Sequence, residues 1–210
     1  MLEKYRTVYV GAEAEIVEKK SRFIATVKPV TTEEEALAFI ESMRKKYWDA
    51  RHNCFAYVLG ERFQTQRCSD DGEPSGTAGK PILEVIRGAQ LRNVLIVVTR
   101  YFGGTLLGTG GLVRAYTSSS KEAVESAEII IKISGYRLKI KTDYTGLGKI
   151  QYLLAQRGIE IEDSEYAENV VLTIVIPKDD EQGLIKELTE ATNAQAEIER
   201  VEECVFSAKV

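Results

Sequence analysis

The chain has 210 residues, of which 44% are hydrophobic and 29% charged, and its net charge is −4. This length allows one large domain or two small ones, and the composition is typical of a globular protein with a hydrophobic core. No apolar run reaches membrane-spanning length and no charged-then-apolar leader is present, so we expect a cytoplasmic protein with no membrane partner. The three cysteines are odd in number and widely spaced, which argues against a disulfide framework and against a zinc site.

The first third of the chain predicts strands followed by a helix. Residues 5–10 and 14–28 are rich in Val, Ile, Tyr and Thr with partial alternation, a pattern typical of strands. Thr32 and Glu35 have capping-box spacing, and the apolar residues that follow recur at helical intervals, so we predict an amphipathic helix that starts here. Residues 51–59 are the next predicted strand.

His52, in that strand, is the only histidine of the chain. Any Cys–His or Ser–His–Asp mechanism would need it, with Cys54 on the same strand face and Asp70 or Asp71 as orienting groups. A metal site would require His52, Asp70, Asp71 and Glu73 to converge. The alternative is a packed or hydrogen-bonded histidine, since only geometry identifies such sites. We predict no catalytic residue and no metal, and keep these four residues as a possible secondary site.

Residues 68–81, CSDDGEPSGTAGKP, are named here the acidic loop. Two aspartates, a glutamate, three glycines and two prolines do not suit a regular element, so we predict a structured loop between strands. A loop of this length inside a compact domain is usually functional or disordered. The pattern that follows predicts a short strand over residues 82–87 and another strand over Val94–Thr99.

Residues 102–111 are named here the glycine loop, because they contain five glycines: Gly103, Gly104, Gly108, Gly110 and Gly111. Such density indicates backbone at positive φ or backbone that approaches another group closely. A helical pattern begins at Leu112, and small residues recur along it at intervals of four, as expected for close packing on a sheet. A helix that starts at the end of a glycine loop presents unpaired N–H groups to an anion.

Three basic residues accompany this loop and suggest an anion site. Arg100 and Arg114 flank the loop, and Lys80 lies in the acidic loop. With the five glycines, they form the predicted partner-binding or anion-binding set. Neither a P-loop nor a Rossmann pattern fits, since Thr109 and Gly110 stand where a P-loop requires Lys and Ser or Thr. A tight strand-to-helix corner with solvated arginines is the alternative interpretation.

The last 76 residues predict the order strand, helix, strand, strand, helix, strand, which is the split βαββαβ motif of ferredoxin-like domains. Gly158 is expected to end the first of these helices and Asp179 to cap the second. A break near residues 134 and 135 divides the chain into domains 1–134 and 135–210. Their charges are +2 and −6, so any nucleic-acid contact is expected on the first domain.

Three stretches together resemble one known family: RHNCFAY (residues 51–57), SDDGEPSGTAGKPIL (69–83) and VTRYFGGTLLGTGGLVRAY (98–116). They are similar to the bacterial, YigZ-like members of the IMPACT family, also called uncharacterised protein family 0029. The resemblance covers essentially the whole chain. It implies an α+β protein whose first domain is similar to the second domain of ribosomal protein S5 and to domain IV of elongation factor G. The second domain would be ferredoxin-like, similar to domain V of that factor.

The resemblance also implies a class of function. Eukaryotic IMPACT proteins regulate translation by competing for the activator of the kinase that phosphorylates initiation factor 2. Those proteins have an additional N-terminal domain, so their partner is not carried over to this chain. The bacterial members bring no established reaction, and no cofactor is expected.

Three hypotheses follow. The first, which we prefer, is a non-enzymatic, translation-associated protein that binds RNA, the ribosome or a translation factor through the glycine loop and its flanking arginines. The second is an enzyme that holds a nucleotide or other phosphate ligand on the same loop, with Asp70, Asp71 or Glu73 binding magnesium or acting as base. In the third, both loops only stabilise the domain.

Overall fold

The computed structural model describes residues 4–209. The chain has an α+β fold and divides into two compact units, Tyr5–Ile131 and Lys132–Ala208. The strand Glu128–Thr142 (β7) continues from the first unit into the second, so the predicted break near residues 134 and 135 falls inside a strand. Within the described residues, no helix combines the length and the apolar character needed to cross a lipid bilayer.

The first unit is built around a five-stranded antiparallel sheet of order β2-β3-β6-β4-β5. Its helices lie on both faces: α2 and α3 pack on one face around a core that includes Phe23, Ile96 and Tyr116, and α1 covers part of the other. The elements are β1 (Lys4–Val10), β2 (Ala12–Glu18), β3 (Ser21–Pro29), α1 (Glu33–Lys46), β4 (His52–Leu59), β5 (Thr65–Ser69), α2 (Gly79–Gly88), β6 (Val94–Tyr101) and α3 (Gly108–Ser126).

Helix α1 begins as predicted, with Thr32 at its N-cap. The Thr32 hydroxyl accepts from the Glu35 amide at 3.2 Å, and the Glu35 carboxylate accepts from the Thr31 amide at 2.7 Å. The first contact satisfies a helix amide that has no partner inside the helix, and the second binds the residue just before the cap. The local sequence was therefore sufficient to locate the start of this helix.

The strand predicted over residues 82–87 is wrong, because this segment lies in helix α2. Its buried residues Ile82, Val85 and Ile86 follow the i, i+3, i+4 spacing of one helix face. A short apolar run with β-branched residues suggested a strand. Six residues are too few to distinguish the repeat of a helix from the alternation of a strand. Pro81 fits because the first helical turn does not need its missing N–H.

Two other boundaries differ from the prediction. Helix α3 starts at Gly108, four residues before the predicted Leu112, so three loop glycines belong to its first turn. Residues 14–28, predicted as strand, belong to two strands, β2 and β3, which a tight turn at Lys19 and Lys20 joins. Both lysines have positive φ, 45° and 68°, a conformation that usually needs glycine or asparagine.

The second unit has the predicted βαββαβ order. Its sheet runs β7-β9-β8, with β10 paired to β7, and its core includes Leu138, Ile174 and Leu184. Asp179 does not cap the last helix; it lies in a 3₁₀ turn, Lys178–Asp180, that precedes the helix. The elements are β7, α4 (Tyr144–Gln156), β8 (Ile161–Tyr166), β9 (Val170–Pro177), α5 (Glu181–Ala191) and β10 (Glu197–Lys209).

Candidate functional site

The segments that carry the family motifs meet at one end of the first sheet. Strands β5 and β6 both pair antiparallel with β4, so they run in the same direction and end on the same side. The acidic loop follows β5 and the glycine loop follows β6. His52, at the start of β4, lies opposite Arg100, and Arg22, just after the Lys19–Lys20 turn, lies opposite Tyr101. We call this region the motif end.

The glycine loop is anchored against the Lys19–Lys20 turn. A Cβ atom on Gly103 would lie 2.0 Å from the carbonyl carbon of Lys20, so only glycine permits this approach. The Gly103 amide donates to the Ser21 hydroxyl at 3.0 Å. Two exposed lysines are thereby held beside the glycine loop.

The N-terminus of α3 is open to solvent. Leu107, at the cap position, provides no side-chain hydrogen bond, and the first turn contains no acidic residue. Gly108 and Gly110 are exposed, and so is Arg114, whose guanidinium is near Gly110. The first amides of a 19-residue helix therefore present partial positive charge without an internal partner.

Arg100 is placed differently from the sequence expectation. It is only 6% exposed, and its Nη1 lies 2.6 Å from the carboxylate of Glu73, which also accepts from the Tyr116 hydroxyl at 2.8 Å. The guanidinium is also near the rings of Phe23 and Phe102, at 5.5 and 5.7 Å from their centroids. Arg100 is thus an internal residue that joins the acidic loop to the start of the glycine loop, and it does not face an external anion.

His52 and Cys54 take part in hydrogen bonds with the backbone of the acidic loop. His52 Nδ1 lies 2.8 Å from the Asp71 carbonyl oxygen, which can only accept, so Nδ1 carries the proton. The Cys54 thiol lies 2.9 Å from the Asp70 carbonyl oxygen. Burial raises the pKa of Cys54 well above its usual range, which leaves a neutral thiol at physiological pH. This geometry fits the packed, hydrogen-bonded interpretation of both residues.

Asp70 is engaged with the start of α2. Its carboxylate accepts from the amides of Gly76, Ala78 and Gly79 at 2.8, 3.0 and 2.8 Å. Burial by itself raises the pKa of Asp70, but the three amide hydrogen bonds outweigh it, and the net pKa is below its usual value. The carboxylate therefore replaces a conventional helix cap.

Asp71 is also bound internally. Its carboxylate accepts hydrogen bonds from the backbone amide of Asn53 at 2.7 Å and from the Arg44 guanidinium at 3.1 Å. With Glu73 paired to Arg100, all three acidic side chains of the loop have partners within the protein. Among residues 4–209, no cluster of three or more His, Cys, Asp and Glu side chains is arranged to hold a metal ion.

Lys80 lies apart from the glycine-loop glycines, in a groove of about 790 Å³ between α2 and α3. The groove has an apolar floor that includes Val85 and Val124, and Lys121 of α3 shares its wall. The three basic residues predicted to form one anion site therefore lie in different environments. Arg114 lies with the glycine loop, Lys80 lies in the groove, and Arg100 is buried in the first unit.

Several exposed residues of the motif end were missed by sequence reasoning. Phe102 is 51% exposed and Leu106 84% exposed, both in the glycine loop, and Trp48 before β4 is 83% exposed. The sequence pattern places Lys19 and Lys20 within a predicted strand and assigns them no role in binding. An available signal was the lysine pair between two strand patterns, but its position beside the glycine loop depends on the pairing of β3 with β6.

Comparison with known proteins gives two family matches. Residues 19–124 match the model described as Impact N-terminal domain, and residues 140–195 match a domain of unknown function, DUF1949. "IMPACT family member YvyE" of Bacillus subtilis is 42% identical over 202 residues, covering 96% of this chain and 93% of the relative. "IMPACT family member YigZ" of Escherichia coli is 41% identical over 161 residues, or 76% of this chain and 79% of the relative.

More distant and structural matches agree with these. Mouse "Protein IMPACT" is 38% identical over 98 residues, which cover 44% of this chain and 30% of that protein. A crystal structure described as that of a hypothetical protein superposes with a TM-score of 0.62 at 34% identity, covering 96% of this chain and 99% of that one.

Proposed function

The chain belongs to the IMPACT family, and on that premise we propose that it is a non-enzymatic, translation-associated protein that binds RNA, free or within the ribosome, through the motif end of its first unit. The observation that carries the proposal is the presence of exposed cations beside the glycine loop and at the open N-terminus of α3. Lys19, Lys20 and Arg114 are exposed, and none has an ion-pair partner within residues 4–209.

The charge arrangement supports a polyanionic ligand. Cations without counter-charges and free helix amides both favour phosphate oxygens. The exposed, unpaired cations named above are three, so we expect few phosphate contacts and a correspondingly modest dependence of binding on salt. The resemblance of the two domains to domains IV and V of elongation factor G supports ribosomal RNA as the ligand.

The same geometry weighs against the second hypothesis, a nucleotide-dependent enzyme. That hypothesis needs Asp70, Asp71 or Glu73 to bind magnesium or to act as a base. Each of these carboxylates has hydrogen bonds or ion pairs within the protein, and freeing one would disrupt α2, β4 or the Arg100 pair.

The test is co-sedimentation with ribosomes and their subunits across a salt series, with the double variant Lys20→Glu/Arg114→Glu. Both positions are exposed, so the fold is expected to be retained. We expect the association to fall at least about tenfold at moderate salt, and the slope of log K against log salt to decrease by about two units. Arg100 is left unchanged because its loss would perturb the core.

The matched control is Lys149→Glu/Lys186→Glu, which changes two exposed lysines of the second unit that have no ion-pair partner among the described residues. It changes the net charge by the same amount but leaves the motif end intact. Association like that of the unaltered protein is expected for the control. If both double variants lost the same affinity for ribosomes, overall charge would explain the loss and the motif end would not. If the wild-type protein did not associate with ribosomes at low salt, the proposal would be wrong.

A further inference from the structure

Phe102 has an exposed aromatic ring, and the residues before and after it are both fixed by contacts within the protein. The preceding residue, Tyr101, donates its hydroxyl hydrogen to Asp49 at 2.7 Å. The following residue, Gly103, is anchored to Ser21 and packed on Lys20. The backbone that carries Phe102 is therefore fixed within two residues, although the side chain is half exposed.

The ring is also supported from within the protein. The Arg100 guanidinium lies 5.7 Å from the Phe102 centroid, and Arg100 is itself held by Glu73 at 2.6 Å and by Phe23. The side chain nevertheless remains 51% exposed. A ring held in this way loses little conformational freedom when a planar group stacks on it, which favours binding.

From these contacts we infer that the ligand at the motif end is single-stranded RNA, with a base stacked on Phe102 and neighbouring phosphates on Lys19 and Lys20. The inference deepens the proposed function and rests on it. Exposed aromatic rings accept bases only when these are unpaired, because bases in a duplex are already stacked on each other. The lysines lie beside Gly103, one residue from the ring.

The small number of cations supports the same choice of ligand. Duplex recognition relies mostly on many backbone contacts across a wide surface. The motif end instead combines a few unpaired cations with exposed apolar rings, including Trp48, which precedes the Asp49 that holds Tyr101. Exposed aromatic rings beside cations are the combination on which single-strand binding relies.

The experiment measures fluorescence anisotropy of the full chain with a labelled oligouridylate of about twelve nucleotides and with an RNA duplex of about twelve base pairs. We expect the single strand to bind at least about tenfold more tightly. Phe102→Ala and Phe102→Leu should both weaken this binding by roughly 5- to 100-fold, and by the same factor at about 50 and about 200 mM salt, since stacking involves no counterion release. Phe102→Trp should retain it.

Phe102→Leu keeps an apolar side chain over Arg100, so it separates loss of stacking from loss of packing. Tyr152→Ala, which removes an aromatic ring that is 66% exposed in the second unit, serves as the control. Tighter binding to the duplex, or unchanged binding of the single strand by Phe102→Leu, would overturn this inference. The proposed function would still stand if association with ribosomes depended on Lys20 and Arg114. Wild-type protein that binds neither oligonucleotide nor ribosomes would overturn both.

Discussion

Replacing Glu73 by leucine is expected to lower the free energy of unfolding of the first unit by about 3–5 kcal/mol, because it leaves Arg100 buried without a counter-charge. Glu73 Oε1 accepts from both Arg100 and the Tyr116 hydroxyl, so the substitution also removes the partner of a buried phenol. Burial raises the pKa of Tyr116 far above its usual range, so this hydroxyl remains a donor that needs an acceptor.

The double variant Glu73→Leu/Arg100→Met provides the control for this expectation. It removes the buried charge together with its partner, so its loss of stability should be smaller than that of Glu73→Leu alone. Hydrogen exchange of the β6 and α3 amides, measured across a urea series, gives the free energy of unfolding of the first unit in both variants. If the double variant were the less stable of the two, the account of Arg100 as an internal charge that requires Glu73 would be wrong.

Replacing Asp70 by alanine is expected to cost about 2–4 kcal/mol, from the loss of a helix cap and from amides left without an acceptor. Ala78 and Gly79 are buried, so water cannot replace the carboxylate at their amides. Asp70→Asn should cost less, because its remaining oxygen can keep the Oδ1 contacts with these two residues and lose only the Oδ2 contact with Gly76. Thermal and urea unfolding of the two variants give the comparison, and equal losses would argue against the capping role.

The pH dependence of Asp70 follows from its lowered pKa. A group whose pKa is lower in the folded state stabilises the protein above its unfolded pKa of about 3.9, and this contribution is lost as the pH falls through the folded value. The difference in stability between the wild type and Asp70→Asn should thus be constant from about pH 7 to pH 5 and should shrink below about pH 4. A difference that grew on acidification would contradict the assigned direction.

Features that depend on neighbouring residues were predicted well from the sequence. The cap at Thr32 was recognised because a capping box lies within four residues. The βαββαβ order of elements in the second unit is predictable because the periodicity of each element is visible in the chain. Residues 82–87 were misjudged, since a window of six apolar and polar residues does not separate a helix from a strand. Helix α3 begins earlier than predicted because glycine lowers helix propensity without excluding it, so its glycines suggested a loop where the first turn lies.

The sequence by itself determined the family, the α+β class, the two motif loops and most elements, because motifs, caps and periodicity arise from residues close together in the chain. Only the tertiary structure decided which charges are internal. Glu73 lies 27 residues from Arg100 and 43 from Tyr116, and their contact depends on strand register and on how α3 packs. Arg114, Lys19 and Lys20, by contrast, are exposed. Burial and ion pairing are properties of residues distant in sequence, so local patterns could not distinguish Arg100 from Arg114.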